Sequence, residues 1–206
     1  MRTSMVLAGL VALLAFAPAA NAKTFSFGLT SGASVPTGDY GDAVGVGPMV
    51  GVFGDFDMNP QVELGADIIG NFHGMSSDLE DAFSAAGING FDLSFTVIQF
   101  GGHLKWRPAP TGLWVQGGAG IYQGSTKVEY LGLEDTNSES KFGFNAGVGY
   151  DFPMRAAMNL GIMANFHSVS DALEEFNVTT GQPTGDTKAA QYVSVGAMLT
   201  FLSTPR

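Results

Sequence analysis

Apolar and polar or small residues alternate with period two in eight separate stretches of the chain. Phe25, Phe27 and Leu29 form one phase of the first stretch, and Val44, Val46, Val50 and Val52 one phase of the second. Val62, Leu64, Ala66 and Ile68 follow, then Ile98, Phe100, Leu104 and Trp106, then Leu113, Val115, Ala119 and Ile121. The last three are the even positions Phe142 to Phe152, the even positions Met158 to Phe166, and the odd positions Val193 to Phe201. A side-chain period of two puts each set on one face of a β-strand. In the fourth stretch Leu93, Phe95 and Val97 hold one phase and Ile98 onward the other, which predicts a β-bulge near Val97.

The links carry the topology. Strands 2–3, 4–5 and 6–7 are joined by short turns, at 57–60, 108–112 and 153–155. Strands 3–4, 5–6 and 7–8 are joined by long polar stretches, at about 74–91, 125–140 and 168–188. An even strand number with short links at one end and long ones at the other is the plan of an outer-membrane barrel. The apolar phase carries no charge across its central residues, whereas the other phase is Gly, Thr, Asn, Gln and a few charges. A soluble barrel would dot its outer face with charge, so the apolar phase is assigned to lipid. The predicted fold is therefore all-β: an eight-stranded antiparallel up-and-down transmembrane β-barrel with short periplasmic turns and long extracellular loops. Phe25, Phe56, Trp106, Phe152 and Phe201 fall at the short-turn end of the apolar phase, and Phe72, Phe95, Phe142 and Phe166 at the other. They are read as two interfacial girdles.

The N-terminus has its own pattern. Arg2, the apolar run Met5 to Ala17, Pro18 and Ala20-Asn21-Ala22 follow the plan of a secretory signal peptide. The run is too short for a membrane-spanning helix, which needs about 20 residues. Residues 1–22 are read as the signal peptide, 23–201 as the barrel and 202–206 as a short C-terminal extension. The chain of 206 residues has no Cys and a formal charge of −10. Zero Cys excludes a disulfide framework and thiol chemistry. The acidic balance, with scattered cations, excludes nucleic acid as a partner.

The cleavable leader, the eight alternating stretches and a final strand ending at Phe201 resemble the small outer-membrane β-barrel proteins, the porin-like group of OmpA/OmpX and opacity type. The segment Gly32 to Gly41 (GASVPTGDYG) is similar to the first strand and loop of that group, and the resemblance covers residues 23–201. It implies outer-membrane lipids, lipopolysaccharide and the outer-membrane assembly machinery as partners, with Phe201 as the assembly signal. It is specific for architecture. Members range over adhesion, structural and small-solute roles.

Candidate site residues fall in two groups. On the polar phase Glu63, Asp67, Gln99, His103, Lys105, Gln116, Tyr122, Asn145, Asn159 and Asn165 are expected to line the lumen. An acid against Lys105 or His103 across a narrow barrel would form a paired plug, because buried charges are usually paired. Eight strands leave an interior filled by side chains or wide enough for one small ligand. The second group is in the loops, which hold 14 of the 19 acids. Among them Asp78, Glu80, Asp81, Asp171, Glu174 and Glu175 lie in two similar segments, each predicted to form a short helical turn, with Ser77 and Glu80 as a capping box. Leu79, Phe83, Leu173 and Phe176 are expected to cover the barrel mouth. Asn71-Phe72-His73 recurs as Asn165-Phe166-His167, and Asp55-Phe56 as Asp151-Phe152, which suggests a duplicated four-strand half. No Gly-x-Ser-x-Gly elbow or His-Glu-x-x-His run is present, and the chain is read as a non-enzyme without cofactor. No metal site is assigned. Weak Ca²⁺ or Mg²⁺ binding at the acidic loops is the alternative to a plainly solvated acidic surface. The functional expectation is a structural or surface-binding, adhesin-like barrel. The alternative is a narrow porin-like channel for small solutes or ions.

Overall fold

The computed structural model describes residues 25–87, 91–130, 133–155, 157–176 and 183–202. The expected signal peptide and residues 203–206 lie outside them. The strands are β1 (Phe25–Thr37), β2 (Gly47–Asn59), β3 (Val62–Gly74), β4 (Phe91–Trp106), β5 (Leu113–Tyr130), β6 (Leu133–Arg155), β7 (Met158–Phe176) and β8 (Pro183–Leu202). They close into one antiparallel barrel in chain order, with β1 sealed to β8 from Ser26↔Leu202 to Thr37↔Gln191. Closure leaves no unpaired edge within the hydrocarbon layer, which lipid demands because it offers no hydrogen-bond partners. Two short helices stand at the long-loop end, α1 (Asp39–Ala43) and α2 (Ser77–Ala85).

The period-two pattern sets the faces. Phe27, Leu29, Leu104, Phe144 and Ile162 are each more than half exposed on the outer surface, whereas Ser26, Thr30, His103, Asn145 and Met163 are buried within the barrel. A belt of exposed apolar side chains on a closed barrel is a lipid-facing surface. The short turns are built locally. Asn59 Oδ1 accepts hydrogen bonds from the backbone N–H of Gln61 (2.9 Å) and Val62 (3.0 Å), closing the β2–β3 hairpin. Gly112, at φ 87°, takes the left-handed position of the β4–β5 turn.

Several expectations are corrected. The bulge near Val97 does not form: β4 keeps one register with β3 and with β5 through Val97 and Ile98. The phase change is real but means something else. Below Ile98 the apolar residues of β4 face lipid; above it Phe95 and Val97 face inward, against a buried cluster at the barrel mouth. Phe95 therefore leaves the outer girdle. Val44 precedes β2 and is 3% exposed, bridging Met75. The expected loops at 125–140 and 168–188 are largely strand, because β5–β6 and β7–β8 continue beyond the barrel as paired hairpins. The second helical turn is absent for the same reason: residues up to Phe176 belong to β7. The first turn does form, as α2, but its cap is Ser76, whose Oγ accepts from the Leu79 N–H at 3.4 Å. Leu79 and Phe83 are only half-buried, and the side chains of Leu173 and Phe176 lie outside the described residues. Tyr40 of α1, 7% exposed, covers the mouth instead.

Candidate functional site

The barrel interior holds two stacked layers. The lower one, towards the short turns, is ionic. His103 on β4 lies between two carboxylates, with Nδ1 2.9 Å from Asp67 Oδ2 and Nε2 2.8 Å from Asp55 Oδ1. Both ring nitrogens face acceptors, and only an imidazolium donates from both. Lys105 Nζ donates to Asp55 Oδ2 at 2.5 Å and lies 3.6 Å from Glu63 Oε2. Arg107, just past β4, donates from Nε to Glu63 Oε1 (2.6 Å) and from an Nη to Asp151 Oδ2 (2.7 Å). Gln99 Nε2 donates to Asp67 Oδ1 (2.7 Å), and Trp114 Nε1 to Asp151 Oδ1 (3.2 Å). Lys105 also stands over the rings of Phe53 and Trp114, 5.4 and 5.1 Å from their centroids. Four carboxylates thus meet three cations in one network that ties β2, β3, β4 and β6 across the lumen. Buried charge is tolerated only when paired in this way. Gly65 makes room for it, since a Cβ there would collide with Asp55 Oδ1 and His103 Nε2.

The upper layer is neutral. Tyr122 Oη lies 3.2 Å from His167 Nδ1, and Asn145 Nδ2 donates to Tyr122 Oη at 3.5 Å. Tyr192 stacks on His167, with centroids 4.5 Å apart and planes at 12°, and its hydroxyl accepts from Asn71 Nδ2 at 3.5 Å. His73 Nδ1 lies 2.9 Å from the Gly45 carbonyl, to which it donates, and the ring is edge-on to Tyr40 at 6.2 Å. Gln116 donates to Asn165 Oδ1 at 3.1 Å. The repeated Asn-Phe-His segments thus sit on β3 and β7, and both histidines meet Tyr192. Outside the membrane, burial pushes the Tyr40 hydroxyl up to about 12, so it stays neutral.

Of the expected lumen residues, Glu63, Asp67, Gln99, His103, Lys105, Tyr122, Asn145 and Asn165 are buried inside the barrel, and Gln116 and Asn159 are half-buried on the same phase. Sequence reasoning left out Asp55, Arg107, Trp114, Asp151 and His167. The two repeated Asp-Phe pairs marked Asp55 and Asp151. Each Asp is one residue from a lipid-facing Phe and therefore points inward.

The loop acids separate. Asp78, Glu80 and Asp81 are exposed on α2, which carries no basic residue in its last turn. The side chains of Asp171, Glu174 and Glu175 lie outside the described residues, on the extension of β7. The loop cations are engaged: Lys127 with Glu129 and Glu134 at 3.5 and 3.2 Å, Lys141 with Glu139 at 3.0 Å, and Lys188 with Asp39 at 2.8 Å. No group of three or more His, Asp or Glu side chains fit to hold a metal ion occurs among the described residues.

A closed eight-stranded barrel with a lipid-facing belt and a polar interior is an integral protein of the bacterial outer membrane. The chain belongs to the family described as "Outer membrane protein beta-barrel domain", whose profile matches residues 6–201. Solved structures agree on the fold. Ail, the attachment invasion locus protein of Yersinia pestis, is 14% identical over 87% of this chain and 97% of its own, with a TM-score of 0.51. A major outer membrane protein from Thermus thermophilus is 16% identical over 88% of this chain and 100% of its own, with a TM-score of 0.53. No curated protein matches the sequence.

Proposed function

We propose that the barrel is a scaffold that presents an acidic outer rim for surface binding, with no reaction and no steady conduction of its own. The ionic layer carries this reading. Its side chains bond one another across the lumen at 2.5 to 3.6 Å, spanning four of the eight strands. A small eight-stranded barrel has an interior that side chains can fill, and this packing supports a plug over a narrow channel. Binding residues usually sit on loops held by a rigid scaffold, and here the loop cations are already paired while the acids of α2 are exposed.

The acidic rim sets the ligand's sign. The solved Ail complex contains the heparin analogue sucrose octasulfate. A polyanion of that kind would be repelled by Asp78, Glu80 and Asp81. The rim suits a cationic surface, or lipopolysaccharide phosphates bridged by Ca²⁺ or Mg²⁺, which take oxygen ligands. Within the same reading, Phe201, whose ring stacks on Phe27 at 5.3 Å, is the residue read by the assembly machinery.

The test is to change Asp78, Asp81 and Asp171 to Asn and Glu80, Glu174 and Glu175 to Gln together. Folding should be retained, since Asp78, Glu80 and Asp81 are exposed and exposed acids contribute little to stability. Ca²⁺-dependent binding to lipopolysaccharide-containing vesicles should fall at least severalfold. Unchanged binding would remove the acidic rim from the account.

A further inference from the structure

Towards the long-loop end the barrel wall parts between β6 and β7. β6 and β7 pair from Arg155↔Met158 only as far as Gly143↔Val169. Both strands run on, β6 from Leu133 and β7 to Phe176. Above the last pair each keeps only its other neighbour, β6 with β5 and β7 with β8. A slit therefore opens at the level of Phe142, which is 48% exposed on the outer surface among the aromatics of the upper girdle.

Behind the slit lies a cavity of about 360 Å³, within the size range of small-molecule sites. Tyr122 and Tyr192, bonded to the layer of Asn145, His167 and Asn71, form its floor, and Tyr40 also lines it. All three rings are held in place: Tyr122 by His167 and Asn145, Tyr192 by stacking on His167, and Tyr40 edge-on to His73. Phe95, Val97, Val169, Ala172 and Ala190 add apolar walls. The inward phase change on β4 places Phe95 and Val97 there, and the register shift between Val169 and Leu173 accompanies the inward packing of Ala172. At the opening Lys141 and Glu139 are joined at 3.0 Å, a pair with no net charge.

We propose that this cavity binds a small uncharged aromatic molecule, admitted through the β6–β7 slit. The floor offers fixed ring faces, which favour stacked or edge-on aromatic partners, and fixed walls lower the ordering cost of binding. The hydroxyls of Tyr122 and Tyr192 are bonded to His167 and Asn71, so these two residues present their rings to the cavity, whose lining also includes Thr126, Asn137 and Thr187. Beneath the floor lies the layer of Asn145, Asn165 and His167, buried and polar. A long acyl chain would need a continuing apolar tube, and this layer ends it. The inference is independent of the acidic rim.

The experiment uses the full barrel, ¹⁵N-labelled, in lipid nanodiscs and titrated with 1-naphthol. Saturable amide shifts are expected at Val97, Tyr122, Lys141, Ala172 and Tyr192. Two variants fill the cavity from different sides, Ala172→Trp at the slit and Ala190→Trp at the wall. Whichever retains the wild-type spectrum away from the cavity should bind at least tenfold more weakly. The proposal is overturned if the wild-type shifts do not saturate or spread over lipid-facing residues. It is likewise overturned if a well-folded Trp variant keeps full affinity, or if decanoate occupies the same amides more tightly than 1-naphthol.

Discussion

The two halves of the lumen are built from different chemistry, with β3 and β6 contributing to both. The lower half draws its charges from β2, β3, β4, the turn after β4, and β6, with Asp55, Glu63, Asp67, His103, Lys105, Arg107 and Asp151 in one network. The upper half uses rings and amides, many from β7 and β8, such as Asn165, His167 and Tyr192. The difference is one of tolerance. In the ionic half each group balances the others, so losing one leaves a buried charge without its partner. In the neutral half each lost contact costs one hydrogen bond or one ring contact. The same contrast explains where space remains: the charged side chains close on one another, whereas the rings above enclose a cavity beside the β6–β7 seam.

Replacing Lys105 by Met tests the ionic half most severely. It leaves Asp55 and Glu63 facing each other with less compensation, and breaking a buried pair costs about 3–5 kcal/mol. Urea titration of the refolded barrel in vesicles, followed by the gel shift between folded and boiled forms, should show that loss. A cost below that of the neutral-layer changes would reverse the comparison.

Next come neighbours on opposite faces. Ala146→Arg, on the lipid face near mid-strand, should cost about 2–4 kcal/mol. Asn145→Ala, one residue away and inside, should cost about 1 kcal/mol, the worth of an ordinary hydrogen bond. Equal costs in the same urea assay would mean that the faces are exchanged.

Within the neutral layer, Tyr122→Phe removes the hydroxyl shared with His167 and Asn145 and should also cost about 1 kcal/mol. The ring remains, so the ¹H–¹⁵N spectrum should change only around His167 and Asn145. The smallest effect belongs outside the lumen. Changing Asp78 and Asp81 to Asn and Glu80 to Gln should leave the urea midpoint unmoved, because exposed charges on a helix contribute little.

Much of this was legible from alternation alone. The eight strands, their outward faces and most inward polar residues follow from a period of two, because lipid and lumen select opposite side chains. Asp55 and Asp151 obeyed the same rule and were overlooked only as site residues. What alternation could not reveal was vertical. Leu93, Phe95 and Val97 break phase with Ile98, and a bulge was the local explanation. The structure keeps the register and turns two of these residues, Phe95 and Val97, into the mouth, against a buried cluster that includes Tyr40, Tyr122 and Tyr192. The segments at 125–140 and 168–176 are rich in polar residues and hold no sustained apolar alternation, so they read as loops while pairing as strands. The acidic segment after Ser170 resembles α2 in letters, yet pairing with β8 overrides its helical spacing.

The central claim is that the ionic layer makes the barrel a closed scaffold. Its most direct test is the current through the refolded wild-type protein in planar lipid bilayers, from both sides of the membrane and at symmetric salt. The account predicts no steady unitary steps. Stable, ohmic steps that scale with salt concentration would contradict it and establish the lumen as a channel.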